Sequence, residues 1–291
     1  MNEATLPTQR TGVLTPGSTA WHLMDSAARQ ARIVVFCGIP GVGKSFLLRE
    51  QLTMALNASR RVTRLQWDVC RQAFETPPIL SRYPEINGAT HMVIRRAVGL
   101  WARGAIEHWA ATHTGSQHML LVEAPLVGGR LVELAQSRGD AAEPLLNARE
   151  TCYYVPTPTV EVRRAIEAAR RSEMELNRHA RDAANAVPEL VDELWQMVAT
   201  TAALLNLRTT GTVSSYCPET YFSLYRAVLR HRHVASLPID QIVSNAGSPH
   251  DVVAATEELV PSSAHVLRLV GLAESEGLES IALRTERWYE T

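Results

Sequence analysis

An eight-residue segment rich in glycine has the residue types and the spacing to bind phosphate. Residues 38–45 read Gly-Ile-Pro-Gly-Val-Gly-Lys-Ser, and the apolar run Ile33–Cys37 precedes them. A helical pattern follows, so the segment joins a predicted buried strand to a predicted helix. Glycines let backbone N–H groups converge on phosphate oxygens, and a helix N-terminus adds partial positive charge. The alternative is an ordinary glycine turn that caps a helix, with Lys44 as a solvated surface charge.

Lys44 is the only lysine in the chain. The other 28 of the 29 basic residues are arginine, so a strong preference for arginine is broken at this one position. Lysine is a compact point charge on a flexible stem, whereas arginine is a rigid planar fork. We interpret position 44 as one that needs the shape of lysine.

The segment matches GxxxxGK[ST], the Walker A motif, and the chain resembles a P-loop NTPase. The resemblance implies that Lys44 bridges the β- and γ-phosphates of ATP and that the Ser45 hydroxyl binds Mg²⁺. The residues that it implies for nucleotide binding are Gly38, Pro40, Gly41, Val42, Gly43, Lys44, Ser45 and Phe46.

Within that family, the small-molecule kinases are the branch whose layout the chain resembles. A guanine-reading NKxD motif needs a second lysine, which disfavours a GTPase, and the LSGGQ signature of ABC-type ATPases is missing from the sequence. AAA-type ATPases usually end the Walker B strand in two adjacent acids, whereas the candidate strand over residues 118–125 offers Glu123 alone. The remaining layout is similar to that of shikimate kinase, gluconate kinase and the zeta-toxin group. ATP is the expected donor, with GTP as the alternative.

By the same resemblance, two carboxylates have expected roles. Asp68 ends a candidate strand over residues 61–67 and would face the acceptor hydroxyl as general base or substrate orienter. Glu123 follows four apolar residues, where a Walker B acid would support Mg²⁺. The two roles could be exchanged, because some nucleoside kinases use glutamate near this point. The alternative for each residue is a carboxylate that caps the following turn.

Arginines recur along a helical pattern that follows a candidate strand over residues 151–155. By resemblance, a lid over about residues 157–187 delivers arginines to the transferring phosphoryl group, where positive charge stabilises the transition state. The alternative is a surface helix in which Glu167 pairs with Arg163 and Arg171, contacts that add little stability. The candidates for the lid are Arg163, Arg164, Arg170 and Arg171, with Arg178 and Arg181 further along.

A second group of arginines lies in a predicted substrate cover over about residues 69–112. The segment 69–88 contains three of the fifteen prolines and is predicted to be irregular, and a helix is predicted over 90–112. In that helix Arg103 and Glu107 have the spacing of an exposed ion pair. The arginines of the cover could bind an anionic acceptor or could all be solvated. They are Arg71, Arg82, Arg95 and Arg96.

The order of elements predicts an α/β fold. By resemblance it is a three-layer P-loop NTPase domain with a parallel sheet of about five strands, a helical lid and a helical C-terminal segment. The fifth strand is predicted around residues 234–237. Residues 1–28 are expected to form a flexible tail, residues 29–240 the kinase-like domain, and residues 241–291 a helical extension.

The composition favours a soluble globular protein, with 46% hydrophobic and 20% charged residues. No apolar run reaches the roughly 18–20 residues of a membrane helix, and residues 1–12 lack the features of a secretory signal. The four widely spaced cysteines favour reduced thiols and a cytoplasmic location. A net charge of -1 disfavours nucleic acid as a partner, although a local arginine groove would suffice for it. A homo-oligomer is compatible with these features.

The expected function is an ATP- and Mg²⁺-dependent phosphotransferase that moves the γ-phosphate to a hydroxyl of a small-molecule acceptor. The alternative is a P-loop ATPase or nucleotide-dependent switch that acts on a protein partner through its arginine-rich and C-terminal helices. The segment 69–96 discriminates the two hypotheses, because only a kinase needs an acceptor pocket beside the γ-phosphate.

Overall fold

The computed structural model describes residues 14–86, 88–176, 188–207, 216–241 and 256–291, with the side chains of 169–176 and 188–190 left out. Within these residues the chain forms one α/β unit around a single parallel sheet.

Six parallel strands form the sheet, in the order β5-β4-β1-β3-β2-β6. The strands are β1 Ile33–Cys37, β2 Arg61–Gln66, β3 His118–Ala124, β4 Thr151–Pro158, β5 Val234–Ile239 and β6 Glu257–Glu258. After β1 the chain forms β2 and then β3 on one side of β1. It then crosses to the other side of β1, where it forms β4 and β5. Neighbouring strands whose connections diverge in this way open a crevice at their carboxyl ends, which is where ligands bind in open α/β sheets.

Eleven helices are present in the described part of the chain. They are α1 Thr19–Gln30, α2 Lys44–Asn57, α3 Trp67–Phe74, α4 Pro77–Leu80, α5 Met92–Thr112, α6 Glu143–Leu146, α7 Val160–Leu176, α8 Pro188–Leu204, α9 Pro218–Val228, α10 Ser263–Glu276 and α11 Leu278–Glu286.

Helices cover both faces of the sheet, so the fold has three layers. Strand β1 is buried along its whole length, with Val34 and Phe36 in one core and Val35 in the other. Helices α1 and α2 close the first core, whereas α5, α8, α9 and α10 pack in the second. Burial on both faces explains why β1 is a continuous apolar run without polar alternation. The predicted three-layer α/β arrangement with a parallel sheet is confirmed.

The expected number of about five strands is one short of the observed six. Strand β6 has only two residues and pairs with the outer side of β2, where Thr63 is in register with Glu257 and Arg64 with Glu258. Two acidic residues carry no apolar signal of a strand. The predicted C-terminal extension therefore contributes a strand to the main sheet as well as the two helices α10 and α11.

The prediction of a flexible tail over residues 1–28 is wrong from Thr19 onward. Helix α1 begins after Ser18, whose hydroxyl accepts a hydrogen bond from Trp21 N–H at 3.2 Å. Its buried side chains include Met24 and Ala27, which pack in the core beside α2. Small alanines let the helix approach the sheet closely, and they do not form a conspicuous apolar stripe in the sequence.

The segment 69–88, which was expected to be irregular, is helical over residues 69–74 in α3 and 77–80 in α4, whereas residues 81–86 contain no helix. Strand β2 ends at Gln66, one residue before the predicted end, and Trp67 begins α3. Trp67, Cys70 and Phe74 give α3 a buried face that holds it against the core. The prolines at 77 and 78 occupy the first turn of α4, a position that tolerates proline because its N–H has no helical acceptor.

Candidate functional site

The glycine-rich loop between β1 and α2 requires its glycines. Gly38, Gly41 and Gly43 have φ of 140°, 85° and 88°, a region that residues with a Cβ rarely adopt. A Cβ on Gly38 would also overlap the hydroxyl of Tyr221 from α9. Gly43 caps α2 without a side chain, so the N–H groups of the first turn of α2 follow it directly.

The side chains of Lys44, Ser45 and Glu123 converge at the carboxyl ends of β1 and β3. The Ser45 hydroxyl donates a hydrogen bond to Glu123 Oε1 at 3.1 Å. Lys44 Nζ lies 3.9 Å from the same oxygen and donates to Ile39 C=O at 3.1 Å. Parallel pairing of β1 with β3 produces this meeting, because it carries Glu123 to the end of the sheet where the loop begins. The two predicted metal ligands and the single lysine are therefore neighbours.

Gln66 joins this group from the last position of β2. It is in register with Glu123, and its Nε2 donates to Glu123 Oε2 at 3.3 Å. Each oxygen of the buried Glu123 carboxylate thus has a hydrogen-bond donor. Sequence reasoning missed Gln66, because the strand that it ends also contains Arg61, Thr63 and Arg64 and its polarity is therefore not distinctive.

Helix α7, the described part of the predicted lid, contacts the glycine-rich loop. The ideal Cβ position of Gly41 lies 3.5 Å from Glu167 Cγ, and that of Gly43 lies 3.6 Å from Ile166 Cδ1. Arg163 is buried one turn earlier and donates from Nε to Glu167 Oε1 at 2.7 Å. Its guanidinium lies over the ring of Tyr216, 4.4 Å from the centroid. A carboxylate thus stands between Arg163 and the loop.

Of the other arginines predicted for the lid, only Arg164 has a described side chain. Arg164 is exposed, in contrast to its buried neighbour Arg163. Arg170 and Arg171 belong to α7, but their side chains lie outside the described residues, as do Arg178 and Arg181 altogether. Their predicted role at the phosphoryl group stays a prediction.

Asp68 lies in the first turn of α3, directly after β2. Its carboxylate accepts from Arg71 Nε at 3.1 Å and is about half exposed. The position at the carboxyl edge of the sheet agrees with a residue that faces a substrate. The ion pair with Arg71 also agrees with the alternative of a helix-terminal carboxylate, which the dipole of α3 favours.

The arginines of the predicted substrate cover divide into two kinds. Arg71 pairs with Asp68 and Glu75, Arg82 pairs with Glu274, and Arg96 pairs with Glu133 and Glu276. These three are ion-paired within the protein, and Arg96 is buried. Arg95 differs, because its Nη1 donates to the backbone carbonyl of Gly128 and its Nε is buried without a hydrogen-bond partner in the described residues.

Arg130, which sequence reasoning missed, lies beside Arg95 in the turn after β3. Burial lowers the pKa of the Arg130 guanidinium to about 9, and the nearby positive charges of Arg95 and Arg71 lower it as well. Burial alone lowers the pKa of Arg95 to about 10. The glycine pair before Arg130 was the available signal of a tight turn after β3.

The predicted exposed pair of Arg103 and Glu107 is wrong. Arg103 is buried, donates to Asp140 and Glu143 at 2.5 Å and 2.9 Å, and binds the carbonyls of Glu133 and Gln136. These partners lie at least 30 residues away in the chain, so no helical spacing reveals them. Arg103 is a structural residue that fixes the turn between β3 and β4.

The side chains beside the loop fit a Mg²⁺ ion. Mg²⁺ prefers oxygen ligands and is usually held by one or two protein groups together with water and phosphate oxygens. Ser45 Oγ and Glu123 Oε1 are such ligands and lie 3.1 Å apart. Among the described residues no group of three or more His, Cys, Asp or Glu side chains could hold a metal, so a site formed by protein ligands alone is not found there.

Comparisons with protein-family models, with curated proteins and with solved structures found no match. No helix among the described residues has the length and apolar character needed to cross a membrane. The inference of function therefore rests on the residues of the site.

Proposed function

We propose that the protein is an ATP- and Mg²⁺-dependent phosphotransferase that acts on a hydroxyl of a small-molecule acceptor. The observation that carries this proposal is the meeting of Lys44, Ser45 and Glu123 beside a loop whose glycines all have positive φ. This arrangement provides backbone N–H groups, one ammonium group and two hard oxygen ligands within a single crevice.

The loop and the first turn of α2 would hold the β- and γ-phosphates of ATP. The N–H groups of the first turn of α2 have no acceptor within the helix and are available to phosphate oxygens, and Lys44 would add a compact positive charge that neutralises those oxygens. Lys44 Nζ would exchange its bond to Ile39 C=O for phosphate oxygens. Ser45 and Glu123 would hold Mg²⁺, which when bound neutralises charge on the phosphate oxygens of the donor.

Asp68 would orient the acceptor hydroxyl and receive its proton. The hydroxyl oxygen attacks the γ-phosphorus, the bond from that phosphorus to the β,γ-bridging oxygen breaks, and ADP leaves. Little covalent work remains for the protein, because such transfer depends mostly on positioning and on neutralisation of charge. The place of Asp68 after β2, across the carboxyl edge from the loop after β1, supports this role.

The deciding experiment measures ADP release from ATP and Mg²⁺, alone and with pooled hydroxylated metabolites. We expect release that depends on one pool and that falls at least about 100-fold in Lys44→Ala. Lys44→Arg tests the shape argument, because it keeps the charge and changes its geometry. Arg226→Ala, which changes an exposed arginine of α9, is the control and should retain full activity.

Two outcomes would overturn the proposal. Undiminished transfer in a folded Lys44→Ala protein would remove the loop from the reaction. Release of ADP that ignores every pool would instead support the hypothesis of an ATPase or switch that acts on a protein partner.

A further inference from the structure

Elsewhere in the described part of the chain, the buried guanidinium groups pair with a carboxylate or donate to several backbone carbonyls. Arg96 and Arg103 have carboxylate partners, and Arg232 pairs with Glu143 at 2.7 Å. Arg60 has no carboxylate, but it donates to four backbone carbonyls. This pattern is expected, because an unpaired buried charge is strongly unfavourable.

Arg130 is the exception. Only 6% of its surface is exposed, yet its guanidinium forms no hydrogen bond or ion pair with any residue that the structure describes. The neighbouring Arg95 is also without a carboxylate partner in the described ranges, and its one recorded acceptor is the Gly128 carbonyl. A Cβ placed on Gly128 would lie 3.2 Å from Arg130 Nη1 and 3.5 Å from Arg95 Nη1. Two guanidinium groups therefore approach one point, and no carboxylate among the described residues pairs with either.

The turn that presents Arg130 has an unfavourable backbone conformation. Leu126 and Leu131 have φ of 47° and 58°, values that are uncommon for residues with a branched side chain. Gly128 and Gly129 between them also have positive φ. Strain of this kind persists where surrounding contacts impose it, and it is frequent at ligand sites. Here the backbone bonds from Leu126 N–H to Arg130 C=O and from Arg130 N–H to Val127 C=O fix the turn.

The charges near the arginine pair identify which part of the crevice it belongs to. The positive charges of Arg71 on α3 and Arg95 on α5 lower the pKa of the Arg130 guanidinium, and the negative charge of Asp68 on α3 raises it. These helices follow β2, so the pair lies on the Asp68 side of the site. This is the side on which the acceptor is expected, whereas the phosphates of the donor are expected at the loop after β1.

We propose that Arg95 and Arg130 bind an anionic group, a phosphate or a carboxylate, on the acceptor whose hydroxyl Asp68 orients. This inference rests on the proposed phosphotransferase function and narrows the acceptor to alcohols that carry such a group. Both guanidiniums have paired N–H donors in a planar fork, the geometry that matches two oxygens of a carboxylate or phosphate. Bound anion supplies the missing negative charge.

The first measurement tests the anion site without catalysis. Inorganic phosphate is titrated calorimetrically into Lys44→Ala, in which phosphate binding at the glycine-rich loop is weakened. We expect binding that persists in Lys44→Ala and weakens at least tenfold when Arg130→Gln is added. Arg226→Gln in the same background should leave it unchanged. Phosphate affinity that is the same with and without Arg130→Gln would overturn the proposal.

The second measurement identifies the acceptor class. ADP release is compared for pools of phosphorylated alcohols, hydroxy acids and neutral alcohols, so that phosphate and carboxylate are distinguished. We expect release with one of the two anionic pools, and a KM for that acceptor at least tenfold higher in Arg130→Gln with the KM for ATP unchanged. Arg130→Lys should restore part of the loss. Turnover of neutral alcohols that is unaffected by Arg130→Gln would overturn the inference while leaving the phosphotransferase function intact.

The converse result separates the two proposals. Loss of phosphate binding in Arg130→Gln, together with no ADP release from any pool, would support the anion site and contradict the phosphotransferase function. If Arg130→Gln fails to fold by circular dichroism, Arg95→Gln is used in both measurements, with the same expected and contradicting results.

Discussion

The Ser45 hydroxyl donates to the Glu123 carboxylate at 3.1 Å, although 78 residues separate the two in the chain. The contact joins the first turn of α2 to the carboxyl end of strand β3, and Gln66 donates to the second oxygen of the same carboxylate. A buried carboxylate fixed by two donors is preorganised, so little conformational freedom remains to be lost when a ligand binds.

Glu123→Gln should remove most of the effect of Mg²⁺ on ATP binding. Glutamine has the same shape and can still accept from Ser45, but it carries no charge to hold the ion. We expect calorimetry to show that Mg²⁺ strengthens ATP binding in the wild type and does so about 10-fold less in the variant. Glu107→Gln on the exposed side of α5 is the control. An undiminished Mg²⁺ effect in Glu123→Gln would exclude this carboxylate as a metal ligand.

Asp68→Asn should abolish phosphoryl transfer and leave ATP binding unchanged. Asparagine cannot receive a proton from an acceptor hydroxyl, and the loop that we propose for nucleotide binding is unaltered. Asp68 is half exposed and Arg71 keeps Glu75 as a partner, so loss of the ion pair should cost about 1 kcal/mol of folding stability. Asp25→Asn, which removes a more exposed aspartate–arginine pair on α1, is the control for loss of an ion pair far from the site. Equal turnover of Asp68→Asn and wild type would leave Asp68 only its electrostatic role in the first turn of α3.

The local part of the site was predictable from the sequence. The strand Ile33–Cys37 and the helix that begins at Lys44 are confirmed, because a buried parallel strand and a glycine turn leave local patterns. The predicted strand over residues 118–125 is observed as His118–Ala124. The resemblance predicted Ser45 and Glu123 as ligands of one metal ion. In the structure, pairing of β1 with β3 brings the two residues into contact.

The non-local part was not predictable. Arg103 looks exposed when only its helix is considered, whereas its partners come from the turn at residues 133–143. Strand β6 pairs with β2 where Arg64 donates to Glu258 across 194 residues, a contact that no local pattern encodes. Arg130 follows two glycines, which predict a turn and say nothing about burial. In each case the environment of the side chain is set by segments distant in the chain.

Glu167→Gln should strengthen ATP binding. The Glu167 carboxylate approaches the Gly41 position, with Oε1 3.7 Å from an ideal Cβ there, so it would repel phosphate oxygens in the loop. Glutamine can still accept from Arg163 Nε and removes the negative charge. We expect an affinity gain of about fivefold, or roughly 1 kcal/mol. Glu161→Gln, exposed on the same helix, should change nothing. Weaker binding in Glu167→Gln would mean that this carboxylate supports the nucleotide.

Glu143→Gln should remove part of the acid sensitivity of the fold. Burial opposes the charged form of Glu143, but hydrogen bonds from Arg232 and Arg103 outweigh it and hold its pKa at about 2, below the ordinary 4.5. A lowered folded-state pKa contributes stability above pH 4.5 that is lost as the pH falls toward 2. We expect urea unfolding to show that loss in the wild type and a smaller one in the variant. At neutral pH the variant should be less stable by about 3 kcal/mol.

Arg130→Met should stabilise the ligand-free protein. A buried charge without a counter-ion opposes folding, so an apolar side chain of similar volume should raise the free energy of unfolding by about 1–4 kcal/mol. Arg96→Met is the matched control and should lower the free energy of unfolding. It leaves the buried Glu133 without the guanidinium that lies 2.8 Å away. Urea unfolding with and without phosphate measures both variants, and phosphate should stabilise the wild type more than Arg130→Met. A loss of stability in Arg130→Met as large as in Arg96→Met would mean that the folded chain itself satisfies Arg130. The guanidinium would then have no charge left to offer an acceptor.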